Sequence, residues 1–187
     1  MVASDPATSA VPTTSPETTS PSIEPEPTPS ATRSLLAPPT DEDLTRVGQL
    51  FVRFARGDQP AGPPVDTPVL LLLGGQPVRT ISAREALEPS SWEGLCPTGA
   101  QGYAGRTCPF SVVAPLAQAT QPITFSMDPA QHSCAHPTPV TPAEVGAARL
   151  VTVVPDATAN CLDYVGVELY VNDVGQIVAA NVVWAEP

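Results

Sequence analysis

From Thr40 onward the order of apolar and polar residues outlines a series of elements. Leu44, Val47, Phe51 and Phe54 fall three, seven and ten residues along from the first of them, which lines them up on one face of a helix. Thr40 and Asp43 have capping-box spacing. Asp41, Glu42 and Asp43 suit the positive end of the helix dipole, and Gly57 suits the residue just past a helix end. This predicts a helix over 41–56 whose apolar stripe docks on a core. Val69 to Leu73 is an unbroken apolar run, and five residues between Pro68 and Gly74 are too few for a helix, so a buried strand is predicted. Gly74-Gly75 turns into a hairpin partner at Val78 to Ile81. Ser82 and Glu85 form a second capping box over a short helix, Ala83 to Glu88, ended by Pro89. Residues 89–110 read as loop, with short strands around Ser111 to Ala114 and Ile123 to Ser126, then a Pro-rich stretch from Pro129 to Pro142.

The C-terminal third carries the strongest strand pattern. Leu150 to Val154 is one strand. From Tyr164 to Asn172, Val165, Val167, Leu169 and Val171 alternate with Tyr164, Gly166, Glu168 and Tyr170, the period of a strand buried on one face and polar on the other. Asn172 to Gly175 is a turn, and Gln176 to Trp184 returns as the partner strand. The expected fold class is α+β: an N-terminal helix packed on a curved, mostly antiparallel sheet, in a single globular domain over 41–187, stabilised by two disulfides. A domain of that size buries roughly 68% of its unfolded surface and folds without a partner.

Residues 1–40 obey different rules. They hold nine Pro and fifteen Ser or Thr, with isolated apolar residues at Ile23, Leu35 and Leu36. Such composition buries too little surface to offset its ordering entropy. A disordered, polyproline-like stalk is expected, a spacer holding the domain off a surface. Residues 1–32 carry no positive charge and no apolar core of a signal peptide, so an upstream signal or anchor is expected to be missing from this chain. The longest apolar run, Val69 to Leu73, is far short of a membrane span.

Charge removes several functions. The chain has eight arginines, no lysine and nineteen acidic residues, a net charge of -11. It repels phosphate backbones and anionic membranes, so no nucleic-acid partner is expected, and a membrane contact only through the missing anchor. P-loop and Schiff-base chemistry lack their lysine.

The four cysteines, Cys96, Cys108, Cys134 and Cys161, contain no C-x-x-C pair. Their even number favours two disulfides in an oxidising compartment. Three connectivities are open; the turn-rich segment between Cys96 and Cys108 favours pairing those two, leaving Cys134 with Cys161. A competing arrangement is His132, Cys134 and His136, which an extended strand would point the same way as soft metal ligands; against it, Cys161 or another cysteine would be left unpaired. No metal and no cofactor is expected. No G-x-S-x-G elbow is present, and Asp163, Glu168 and Asp173 read as a solvated strand face without a partner base. The Gly-rich segment Gly94 to Arg106 lacks dinucleotide spacing. Closed by a disulfide, it is either a turn region or a recognition surface displaying Tyr103 and Arg106, residue types that dominate binding hot spots. Arg56-Gly57-Asp58 spells an adhesion tripeptide, but its glycine is already explained by the helix end.

The leading helix, the hairpin-rich sheet, and a closing pair of the form Val165-Gly166-Val167-Glu168-Leu169-Tyr170-Val171-Asn172, then Gly175-Gln176-Ile177-Val178-Ala179, resemble the NTF2-like/cystatin-like class. That resemblance implies a curved sheet wrapped on a helix, often around a pocket, and transfers no catalytic residue. A second resemblance is to bacterial subtilisin inhibitors, with their two sequential disulfides and a protease-binding loop after the third cysteine, here Cys134-Ala135-His136-Pro137. The expected function is a non-enzymatic, extracytoplasmic domain of the bacterial cell envelope that binds a protein or small-molecule ligand. The alternatives are a secreted protease inhibitor and a small-pocket NTF2-like enzyme.

Overall fold

The computed structural model describes residues 38–59, 61–99, 101–103, 105–129, 143–156, 159–160 and 163–184. The chain divides into two units, Met1–Ser34 and Leu35–Pro187. Apart from 38–40, the stalk predicted over 1–40 lies outside the described residues. No helix among the described residues is long and apolar enough to cross a membrane.

Helix α1 spans Asp41–Ala55. Its capping box is formed: the Asp43 N–H donates to the Thr40 hydroxyl at 3.2 Å and the Thr40 N–H donates to the Asp43 carboxylate at 2.9 Å. The Thr40 hydroxyl also donates to the Asp43 carboxylate at 2.7 Å, and this bond first, then the one from the Thr40 N–H, holds the Asp43 carboxyl below its ordinary pKa. Gly57 takes φ +78° just past the helix end, as expected. The predicted stripe is buried, and Gly48 joins it. A Cβ at Gly48 would lie 2.8 Å from the Phe125 ring, so the absent side chain is what lets the helix close on the sheet.

Eight strands follow: β1 Val69–Leu73, β2 Gln76–Ile81, β3 Gly102–Tyr103, β4 Arg106–Thr107, β5 Thr124–Ser126, β6 Arg149–Val154, β7 Val165–Val171 and β8 Ile177–Trp184, with a one-turn helix α2 at Ala114–Ala117. Six of them form one mixed sheet in the order β2-β1-β8-β7-β6-β5; β3 and β4 make a separate hairpin. All neighbours in the large sheet are antiparallel except β1 and β8, which run parallel. The fold is thus α+β on a mixed sheet. One face, with Val69, Leu71 and Leu73 of β1, Val151 and Val153 of β6, Val167, Leu169 and Val171 of β7, and Ala180 and Val182 of β8, packs with the α1 stripe into one core. The Phe51 ring sits at its centre, 4.9 Å from Trp92 and 5.9 Å from Phe54.

Four expectations are corrected. The helix expected over 83–88 is a single 3-10 turn, Glu85–Leu87, although the Ser82–Glu85 cap forms as read. Glu88 precedes Pro89 and is extended at φ -106°, ψ 120°, the conformation a following proline imposes. Residues 89–110 are not plain loop: Pro89–Trp92 is a 3-10 turn that buries Trp92, whose indole N–H donates to the Ala86 carbonyl at 3.0 Å. No strand forms at Ser111 to Ala114. The Ser111 hydroxyl accepts the Ala114 N–H at 2.9 Å and Pro115 sits in the first turn, so this segment starts α2. Finally, β7 is not half-solvated: Glu168 and Tyr170 on its polar face are 1% and 2% exposed.

The polar groups of that second face satisfy one another. The Asn181 amide donates to the Glu168 carboxylate at 2.7 Å, the Tyr170 hydroxyl donates to it at 3.1 Å, and the Asn181 carbonyl accepts the Gly75 N–H at 2.9 Å. Paired in this way, polar groups tolerate burial. Tyr164 lies on the same side of the sheet. Burial, and secondly the Glu168 carboxylate, push its phenol above the ordinary tyrosine pKa. A raised pKa in the folded state gives stability that is complete below about pH 10 and is lost as pH rises through the raised value. With no lysine in the chain, no lysine titration overlaps this alkaline limb. Denaturant unfolding between about pH 9 and 11.5 should therefore show stability falling in the parent chain and a flatter profile in Tyr164→Phe; identical profiles would remove Tyr164 from the account.

Candidate functional site

The β3–β4 hairpin is small and needs ties. Cys96 and Cys108 are disulfide-bonded, with Cα atoms 5.5 Å apart. Beside the bond, Leu95 and Phe110 exchange backbone hydrogen bonds of 2.9 and 2.8 Å, and the Cys108 N–H donates to the Gln101 carbonyl at 3.0 Å. A Cβ at Gly102 would lie 2.0 Å from the Arg106 carbonyl oxygen, so only glycine lets the two strands approach at this rung. Together these ties fix the backbone at Arg106. Closing a loop of sequence separation 12 contributes about 3 kcal/mol through the unfolded chain. The double variant Cys96→Ser/Cys108→Ser should lose about that much in denaturant unfolding, while a cost near zero would mean the hairpin is held by its backbone bonds alone.

From this hairpin the Arg106 guanidinium reaches over the Trp184 ring, 5.9 Å from its centroid. Trp184 ends β8 opposite Val165, and its ring centroid lies 4.8 Å from that of Phe110. These residues floor a cleft of about 660 Å³ that also takes in Pro109, Ala114, Pro115, Gln118 and Asp163. The α2 wall is held from below: Arg56, at the end of α1, donates to the Leu116 and Ala119 carbonyls at 3.4 Å each. Asp163, exposed at the cleft, accepts the Asn160 amide on its carboxylate at 2.6 Å.

Arg106 differs from the other described arginines. Arg46, Arg53 and Arg84 are exposed. Arg56 is committed to α2, Arg79 to the Ser91 and Glu93 carbonyls, and Arg149 to the Pro39 carbonyl and Asp41. Arg106 is half-buried and, among the described residues, has an aromatic face but no hydrogen bond or ion pair for its guanidinium. So placed in the cleft, and uncommitted among the described residues, the guanidinium has the donor fork that recognition of an anion would use.

The structure thus places Arg106 in a cleft and pairs Cys96 with Cys108. Tyr103 contributes backbone to β3; its side chain lies outside the described residues, as do Cys134, Cys161, the His132–Cys134–His136 set and the inhibitor-like stretch 134–137. Among the described residues no group of three His, Cys, Asp or Glu is placed to hold a metal. The sequence reading missed Trp184, Phe110 and Asp163 as parts of the site. Trp184 closes an apolar strand and reads as core, which it also is. The one available signal was Asp163 just before the β7 pattern, at the strand end where a side chain looks onto a neighbouring loop. Comparison with known proteins finds no family model that matches the chain, and no match among curated proteins or solved structures.

Proposed function

We propose that this chain is a non-enzymatic binding domain of the extracytoplasmic cell envelope, and that the cleft between the disulfide-tied hairpin, α2 and the end of β8 is where its ligand or partner sits. The observation that carries this reading is the Arg106 guanidinium, uncommitted among the described residues, over Trp184 in a cleft of about 660 Å³, inside the size range of ligand sites. The Cys96–Cys108 bond supports an oxidising compartment, and the Pro/Ser/Thr-rich composition of residues 1–40 supports a spacer role. The NTF2-like curvature of the sheet and a second bond, Cys134–Cys161, belong to the same proposal.

The test is a screen of a small-fragment library against the isotope-labelled full chain by amide chemical-shift mapping. Shifts clustering on residues 105–118, 163–165 and 184 are the expected result. Clustering on another surface, or chemical turnover of a fragment, overturns the reading.

A further inference from the structure

We infer that the cleft recognises the free C-terminal end of a peptide whose last residue is apolar. This rests on the cleft being the binding site. The guanidinium fork of Arg106 matches a carboxylate in bidentate fashion, and its contact over the Trp184 ring, 5.9 Å from the centroid, uses none of its N–H donors. Pro109, Pro115 and Val165 in the same cleft offer an apolar bed for a side chain. Asp163 on the rim has a carboxylate to accept a backbone N–H. A peptide end supplies all three partners from one residue: α-carboxylate, apolar side chain and amide N–H.

Charge narrows the choice further. Asp163 shares the cleft with Arg106, and the chain as a whole carries -11. A phosphate dianion would meet that negative field twice over, with one arginine to offset it. A single carboxylate meets it once and finds the cation at contact distance, where screening by salt is weakest. Arg106 contacts Trp184 without pairing to Asp163, and the Asn160 amide engages one oxygen of the Asp163 carboxylate, which leaves its other oxygen to accept from a ligand.

The experiment titrates the labelled full chain with acetyl-Ala-Ala-Leu bearing a free carboxylate, with the same peptide amidated, and with acetyl-leucine. The free-acid peptide should shift residues lining the cleft and bind at least about tenfold more tightly than the amide, the size of a lost charge-assisted hydrogen bond. Arg106→Gln should lose about tenfold or more for the acid and little for the amide, with Arg106→Lys between, because it keeps the charge and loses the fork. Thermal melts of both variants should stay close to the parent, since the Trp184 contact is a single weak cation–π one and Arg106 has no hydrogen bond or ion pair among the described residues. Equal binding of acid and amide, or an Arg106→Gln variant that binds as the parent does, overturns the inference. Acetyl-leucine binding as tightly as the peptide overturns the peptide assignment in favour of a small carboxylate. If fragments without a carboxylate occupy the cleft while all three probes do not, the ligand class is wrong and the cleft reading stands. If no compound shifts the cleft, both fall.

Discussion

Phe51→Ala is expected to destabilise the domain by about 3 to 5 kcal/mol. Phe51 is fully buried and its ring touches those of Phe54 and Trp92. The last two come from separate parts of the chain, so the vacated space borders rigid neighbours with little room to collapse. A loss of that size is a large fraction of the roughly 5 to 15 kcal/mol that holds a typical domain. Urea unfolding monitored by tryptophan fluorescence suits the measurement, because Trp92 lies against the substituted ring. A cost below about 1 kcal/mol would put α1 at the periphery and break the link between the helix stripe and the core.

The helix and its cap were legible because their signals are local. Thr40 and Asp43 bond each other three residues apart, and the stripe from Leu44 to Phe54 needs only a 3.6-residue period to be seen. The closing hairpin was legible for the same reason: a four-residue turn joins two strands whose periods agree. The parallel pairing of β1 with β8 was not legible. Val69 to Leu73 reads as buried whatever lies beside it, and its neighbour is more than a hundred residues away, with no turn to announce it. The second face of β7 misled in a different way. Glu168 and Tyr170 alternate with valines as residues of a solvent face would, and the groups that make their burial tolerable, such as Asn181, lie on another strand.

The candidate site divides along similar lines. Arg106 stood out because a glycine-rich, disulfide-closed segment has little else to display. Trp184 and Asp163 did not, since their relation to Arg106 exists only once β7, β8 and the hairpin are assembled. The pairing of Cys96 with Cys108 was readable from the turn residues between them. That bond and the glycine at 102 are what convert a flexible stretch into a fixed platform for the guanidinium.

Asn181→Leu should cost about 2 to 5 kcal/mol, although leucine nearly matches asparagine in shape and prefers burial. Asn181 is 0% exposed and makes two bonds that leucine cannot. Its amide donates to the buried Glu168 carboxylate at 2.7 Å, and its carbonyl accepts the Gly75 N–H at 2.9 Å. Each polar group that loses its partner in the interior costs about 1 to 3 kcal/mol, more than the gain from burying an apolar side chain at a site already dry. The effect should depend on Glu168. In a double-mutant cycle with Glu168→Leu, the coupling between the two positions should be about 1 to 3 kcal/mol, because the second substitution removes the carboxylate that had lost its amide donor while keeping the Tyr170 hydroxyl. Strict additivity would mean that the Glu168–Asn181 bond contributes nothing beyond its neighbours, and that the second face is held by its apolar contacts around Leu72 and Ala179. Coupling in the expected range would make the pair a polar clamp between β7 and β8. Through the Gly75 bond it would also hold the turn that leaves β1 for β2, at the end of β1's parallel run beside β8.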